Sequence, residues 1–338
     1  MSRRLYSLVI LPIAVLVVAI LLAPLMRCLP FLAHIKDLPS RFIGNRTLST
    51  YLTSPSTASS SPVSKMSKAP VYFFSHGGPD VQYRTEHPAY AVLQAIGKEI
   101  TEKVKPTAAV VFSAHWQATP NEIQLNNAEN TDLIPSFYNF PAKFYEATYP
   151  SKGSPQLASR ILGLLGDAGI KASGLKRGLD HGVFSGFNVA FNPEENPLNV
   201  PLVQVSLYEN EDPDMHYRLG QAVASLRDEN IVIICTGMSV HNLRDYRLTI
   251  GRSTPMPYVK SFDDALKEAV ESPPAERQAR MAAVTKRPDA KAAHPWMDHL
   301  MTVYVAAGAA GEDRGKQTWT KHEGSMAWAQ YRFGDVRS

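Results

Sequence analysis

The stretch VYFFSHGGPD, Val71 to Asp80, runs four apolar residues and a serine into a histidine, then breaks the chain with two glycines and a proline. A short continuous apolar run bounded by turn formers reads as a strand buried on both faces. Gly77, Gly78 and Pro79 end it sharply, and His76 stands where the chain leaves the sheet. The pattern recurs. TAAVVFSA (107–114) runs into His115, IVIICTG (231–237) leads through Met-Ser-Val to His241, and VPLVQVSL (200–207) is a further run of the same kind. Between the runs, AYAVLQAIGKEITEKV (89–104), SPQLASRILGLLGDAGI (154–170), PDMHYRLGQAVASLRDE (213–229), SFDDALKEAV (261–270) and HPWMDHLMTVYVAAGAA (294–310) have helical spacing. Ser154 and Pro213 supply helix-start signals. The last stretch, KQTWTKHEGSMAWAQYRFG, predicts a hairpin. Apolar strands alternating with helices predict a single α/β domain with a mostly parallel central sheet flanked by helices, from residue 69 to 338.

The segment before that domain reads differently. Residues 1–28 hold an uncharged stretch from Leu5 to Met26, preceded by Arg3 and Arg4. Roughly 20 apolar residues suffice to cross a bilayer, so this is a membrane anchor or signal-like segment. Residues 29–68 are a Ser/Thr/Pro-rich linker without apolar periodicity. Two locations follow: single-pass membrane attachment if the N-terminus is retained, cytoplasmic if translation starts at Met66. The net charge is only +4 and no basic cluster is interleaved with aromatics, which argues against a nucleic-acid partner. With two cysteines, Cys28 and Cys235, a disulfide framework is excluded, and a metal site has to use histidines and carboxylates.

Ten histidines are present, and their positions carry more than their number. His76, His115 and His241 each lie at or just beyond the C-terminal end of a predicted strand. In open α/β sheets ligands bind outside those ends, so three imidazoles could meet there. Taken singly, each reads as a loop residue hydrogen-bonded to backbone. Together they form a ligand set with open positions for a catalytic metal, of a kind that suits iron, zinc, copper or nickel. His181, in LDHGVFSGF, and His216, in DPDMHYRLG, are the candidates for acid–base work. His216 is expected at a helix N-terminus, which disfavours the imidazolium form.

The motifs FFSHGGP, VVFSAHW, LDHGVFSGF, VPLVQVSL, DPDMHYRLGQAV, CTGMSVHNL, AHPWMDHL and SMAWAQYRFG, in that order, resemble the class III extradiol ring-cleavage dioxygenases. The nearest branch is the DOPA-dioxygenase-like one, related to the LigB subunit of protocatechuate dioxygenase. The resemblance covers residue 69 to the C-terminus and implies one α/β domain holding Fe(II), with Zn(II) able to occupy the same site. It implies metal ligation by His76, His115 and His241, His181 beside the substrate, and His216 as the acid/base group. A catechol of the DOPA type would bind, O2 would supply both inserted oxygen atoms, and the ring would open beside the diol to a semialdehyde. His294, Tyr331 and Phe184 are substrate-pocket candidates. Phe184-Ser185-Gly186 departs from the family's usual aromatic–apolar–proline pattern and alters one expected pocket wall. Two other classes remain open on these residues: a zinc-dependent hydrolase using the same three histidines, and a non-catalytic binding member of the superfamily.

Overall fold

Residue alternation on the strands positions everything else. On β1 (Val71–Ser75), Val71 and Phe73 point to one face, while Tyr72 and Phe74 point to the other, and all four are buried. The same two-sided burial holds on β2 (Ala108–Gln117), with Val110 and Phe112 opposite Ala109 and Val111. Two apolar cores on opposite faces are what a sheet covered on both sides requires. The computed structural model describes residues 68–252 and 254–336. The expected anchor (1–28) and linker (29–68) lie outside the described residues, Lys68 excepted. Among the described residues, no helix is long and apolar enough to cross a membrane.

The remaining strands are β3 (Ile123–Asn126), β4 (Leu133–Ile134), β5 (Ala172–Leu175), β6 (Leu179–Asp180), β7 (Leu202–Leu207), β8 (Ile231–Gly237), β9 (Val240–His241), β10 (Gly315–Trp319), β11 (His322–Glu323), β12 (Met326–Ala327) and β13 (Gln330–Phe333). Six of these join β1 and β2 in an eight-stranded main sheet of order β10-β13-β1-β8-β2-β7-β3-β5. Its centre, β1-β8-β2-β7, is parallel, as the continuous apolar runs predict. β13 runs antiparallel to both β1 and β10, so the expected terminal hairpin is observed as an antiparallel extension of the sheet. Small sheets β11-β12-β9 and β4-β6 stand beside it.

The helices are α1 (Pro88–Lys98), α2 (Pro155–Asp167), α3 (His181–Ala190), α4 (Pro213–Val223), α5 (Leu243–Thr249), α6 (Pro257–Glu271), α7 (Pro274–Val284), α8 (Ala290–Ala293) and α9 (Asp298–Ala310). The start signals are used as expected. Ser154 Oγ accepts the Leu157 N–H at 3.1 Å, and Asp212 Oδ1 accepts from Asp214 and Met215, each time with proline in the first turn. Helices α1 and α3 cover one face of the sheet; α2, α4, α6, α7 and α9 cover the other. α9 is buried all round from His299 to Ala310, the pattern of a helix inside a core rather than on a surface. Its C-terminal carbonyls are held by two buried guanidinium groups. Arg227 donates to Ala309 and Ala310, and Arg277 donates to Ala307, Gly311 and Asp313.

α4 and α9 cross so closely that side chains have no room at the contact. A Cβ on Gly308 would lie 1.9 Å from the Tyr217 carbonyl oxygen, and one on Gly220 would lie 2.0 Å from that of Val305. Gly308→Ala is therefore expected to destabilise the fold by about 3 kcal/mol, read as a fall in Tm of roughly 5–10 °C. Gly163→Ala, inside α2 with open space around its Cβ, is the control and should leave Tm unchanged or slightly raised. Equal Tm values for the two variants would contradict this packing.

Candidate metal centre and active-site cavity

The C-terminal ends of β1, β8 and β2 lie side by side, since Ser75 pairs with Gly237 and Thr236 with Ser113. The His76 N–H donates to the Gly237 carbonyl at 3.0 Å, continuing the ladder by one residue before the chain turns away. Gly77 makes that turn with φ +69°, and a Cβ there would sit 2.3 Å from the Trp328 ring. His115 lies within β2, whose expected end at residue 114 is extended to Gln117. His241 lies in β9, and His181 is the first residue of α3. Gly182 is fixed by a close approach: a Cβ on it would fall 2.7 Å from the His115 ring. Beside it, the buried Asp180 carboxylate accepts from Ser113 Oγ at 2.7 Å, from Arg177 at 3.2 Å and from Gln204.

These imidazoles meet. The His76 and His115 ring centroids are 5.3 Å apart, and those of His115 and His181 are 3.8 Å apart. A further histidine joins them from the first turn of α9. His299 stacks on His241 at 3.7 Å and lies 4.8 Å from His115 and 5.5 Å from His76. Ligand atoms of His76, His115 and His299 lie within 4.8 Å of one another, and so do those of His241, Asp298 and His299.

Both ring nitrogens of His76 and Nε2 of His115 are buried with no hydrogen-bond partner. Buried polar atoms are nearly always satisfied, so bare nitrogens this close together are the mark of a ligand-binding site. Burial first, and then the neighbouring imidazoles, hold His76, His115 and His241 well below the ordinary histidine range, so all three are neutral donors. The His299 ring is oriented from behind: Asp298 Oδ1 accepts from its Nδ1 at 3.0 Å and from its backbone N–H at 2.8 Å. Burial would raise the Asp298 carboxyl, but His299 and His241 hold it below the ordinary carboxylate value, so it is ionised. The donor set therefore fits a divalent metal of intermediate softness.

The cluster forms the floor of a cavity of about 460 Å³, lined by His115, His181, His241 and His299. Phe137, Phe140, Met238, Met326 and Trp328 form apolar walls, and the exposed Trp296 and Leu243 stand among its lining. The space suits one aromatic ring with a short side chain. Three acidic groups and one cation also line it: Asp80, Asp298, Glu323 and Arg84. Glu323 is already engaged, accepting from Trp328 Nε1 at 3.1 Å, pairing with Lys321 at 2.7 Å and bonding His87 at 3.1 Å. Burial would raise its carboxyl, but the bonds to His87 and Lys321 bring it down to about 2. His181 is lowered to about 4, mainly by burial, and its Nδ1 bonds Ser136 Oγ at 2.6 Å.

Other sequence candidates fall elsewhere. His216 lies outside the cavity, buried, with both ring nitrogens on backbone. Nε2 accepts the Tyr208 N–H at 3.2 Å, and Nδ1 donates to the Asp212 carbonyl at 2.7 Å. Neither ring nitrogen of His216 is left free toward the cavity that would hold a substrate. Phe184 is buried in the core on the α1/α3 face of the sheet. Tyr331 belongs to the opposite core, against Phe73, with its hydroxyl accepting from Gln317. His294 is buried against Phe262, and its Nε2 donates to the Ser239 carbonyl at 2.9 Å. None of these three lines the cavity. Sequence reasoning missed His299 as a cluster member, along with Ser136 and the Phe137–Phe140 wall. The Asp-His pair in PWMDHL was the one available signal, a carboxylate directly before an imidazole.

A family model described as the catalytic LigB subunit of aromatic ring-opening dioxygenase matches residues 62–334. A Beta vulgaris protein named 4,5-DOPA dioxygenase extradiol is 34% identical over 274 residues, 78% of this chain and 95% of that protein. A Schizosaccharomyces pombe 4,5-DOPA dioxygenase extradiol-like protein is 31% identical, covering 67% of this chain and 75% of its own. In fold, the chain resembles the crystal structure of an uncharacterised Escherichia coli K12 protein, with a TM-score of 0.62, 24% identity, and coverage of 79% of this chain and 100% of that one.

Proposed function

The chain belongs to the family of catalytic LigB subunits of aromatic ring-opening dioxygenases, and on that premise we propose that it opens a catechol amino acid of the DOPA type, using iron(II) held by His76, His115, His241 and His299. It is an oxidoreductase, an extradiol dioxygenase that cleaves a catechol ring with O2. The assignment of ligands rests on one observation: His76 and His115, with bare buried nitrogens, group with His299, and His299 groups in turn with His241, beside an aromatic-walled cavity. Zinc would fit the same donors but lacks the redox chemistry the reaction needs.

When bound, the metal supplies Lewis acidity toward the catechol oxygens and an electron path between ring and O2. The chain's own groups do the rest. His181 is neutral at pH 7, and the Ser136 hydroxyl can donate to its Nδ1 or accept from it. Nε2 can therefore take a catechol proton and return it later while Nδ1 stays bonded. Asp180, immobilised by Ser113, Gln204 and Arg177, fixes the start of α3 and so the ring that moves the proton. The Phe137, Phe140 and Trp328 walls hold the substrate ring and keep water away from it. A hydrolytic zinc enzyme would need a polar pocket to place its water; these walls favour an aromatic substrate.

The substrate's side chain is matched by charge. Arg84 and Asp80 line the cavity 3.7 Å apart, each about a third exposed. A guanidinium beside a carboxylate complements the carboxylate and ammonium of an amino acid. Arg84→Gln is expected to raise KM for DOPA roughly 10- to 100-fold while leaving KM for 4-methylcatechol unchanged. An equal loss on both substrates would remove the amino-acid assignment. The dioxygenase reading itself is tested by loading the protein anaerobically with Fe(II), then admitting O2 with each member of a catechol panel. Oxygen uptake with a yellow ring-opened product is expected, and its absence with every catechol would overturn the reading.

A further inference from the structure

His216 is too far committed to backbone to serve a substrate, yet it is fully buried and satisfied at both nitrogens. Its partners fix its chemistry. The Tyr208 N–H can only donate and the Asp212 carbonyl can only accept, so the ring is neutral with its proton on Nδ1. Those two bonds tie both ends of the five-residue connection from β7 to α4 to one rigid ring.

Inside that connection Glu211 adopts φ +54°, a left-handed conformation that a residue with a long side chain holds only when its surroundings impose it. The conformation has a use. Glu211 Oε1 accepts the backbone N–H of Met297 at 2.8 Å, one of the unpaired donors at the start of α9. Met297 is the N-cap of α9, and Asp298 and His299 follow at once. Hydrogen bonds and covalent links thus run without a gap from His216 through the loop and Glu211 to the helix end that carries His299 into the cluster.

We propose that His216 and Glu211 are positioning residues for the metal centre, forming a brace that sets the place of His299. This rests on the reading of His299 as a metal ligand. The brace acts through the acceptor oxygen of Glu211, because the Met297 N–H needs an acceptor and not a charge.

Removal of groups that orient a metal ligand typically weakens metal binding about 10- to 100-fold. The test is titration of metal-free protein with Co(II), followed by its visible absorption, alongside thermal melting of the metal-free form. His216→Ala would remove two bonds from a buried position and risks the fold, so the variants are at Glu211. Glu211→Ala should bind Co(II) about 10- to 100-fold more weakly, with an altered band shape, while the metal-free Tm shifts little. Glu211→Gln, which keeps an acceptor oxygen in place, should restore wild-type binding. Wild-type affinity and spectrum in Glu211→Ala, or an equal loss in Glu211→Gln, would overturn the brace. His299→Ala separates the two levels of the argument. If it binds Co(II) as wild type does, the ligand reading fails and the brace with it. If it loses binding while Glu211→Ala does not, only the brace fails.

Discussion

His115→Ala is expected to bring bound metal from stoichiometric to trace and to abolish oxygen uptake, a loss of at least about a thousand-fold in turnover. His115 stands at the centre of the cluster, with neighbouring rings from the turn after β1, from α3 and from α9. Its Nε2 is buried and bare, so nothing in the protein substitutes for it as a donor. The fold itself should survive, because His115 lies at the cavity end of β2 while the apolar run Ala108–Phe112 carries the packing. The measurement pairs elemental analysis with an oxygen electrode, and adds thermal melting with and without metal. Wild type should melt higher when metal is added, since a ligand that binds only the native state stabilises it. The variant should show no such rise. A variant that kept both metal and turnover would remove His115 from the centre.

His181→Ala should separate chemistry from metal binding. The ring lies against His115, but its Nδ1 is engaged by Ser136, and its proposed task is proton transfer. General acid–base groups are worth about 100- to 10,000-fold, so kcat should fall by that factor with metal content unchanged. Loss of metal in parallel with activity would make His181 a ligand instead. This result also bears on His216, the residue that the helix-start argument favoured for proton transfer. A ring whose two nitrogens are both taken by backbone has no site free for a substrate proton.

The pattern of success in reading the chain has a physical basis. His76 and His115 were legible because a polar ring at the end of a doubly buried strand has only one place to go, the rim of the sheet. His241 was legible in the same way, through the β8 run that precedes it. His299 was not, because it sits in a helix that is buried from His299 through to Ala310. Its access to the cavity depends on α9 beginning just beneath the end of β8, where Met238 N–H meets the His299 carbonyl at 3.3 Å. That is a tertiary fact with no local signal. α3 was missed for a different reason: Gly182, Ser185 and Gly186 depress helical propensity, and burial against the sheet overrides it. Phe184 and Tyr331 do not line the cavity, and being near a motif in sequence does not say which face of a helix or strand a side chain occupies.

The sheet order carries a consequence for how the chain is made. β13 inserts between β10 and β1, so the strand that leads into the first proposed ligand is completed by the last of the described strands. Until Gln330–Phe333 leaves the ribosome, β1 presents an unpaired edge of buried-type apolar residues, the kind of surface that adds strands from other molecules. The edge is therefore sealed only after every other described strand has been made. A chain cut just before Gln330 would keep every proposed ligand and still be prone to aggregate.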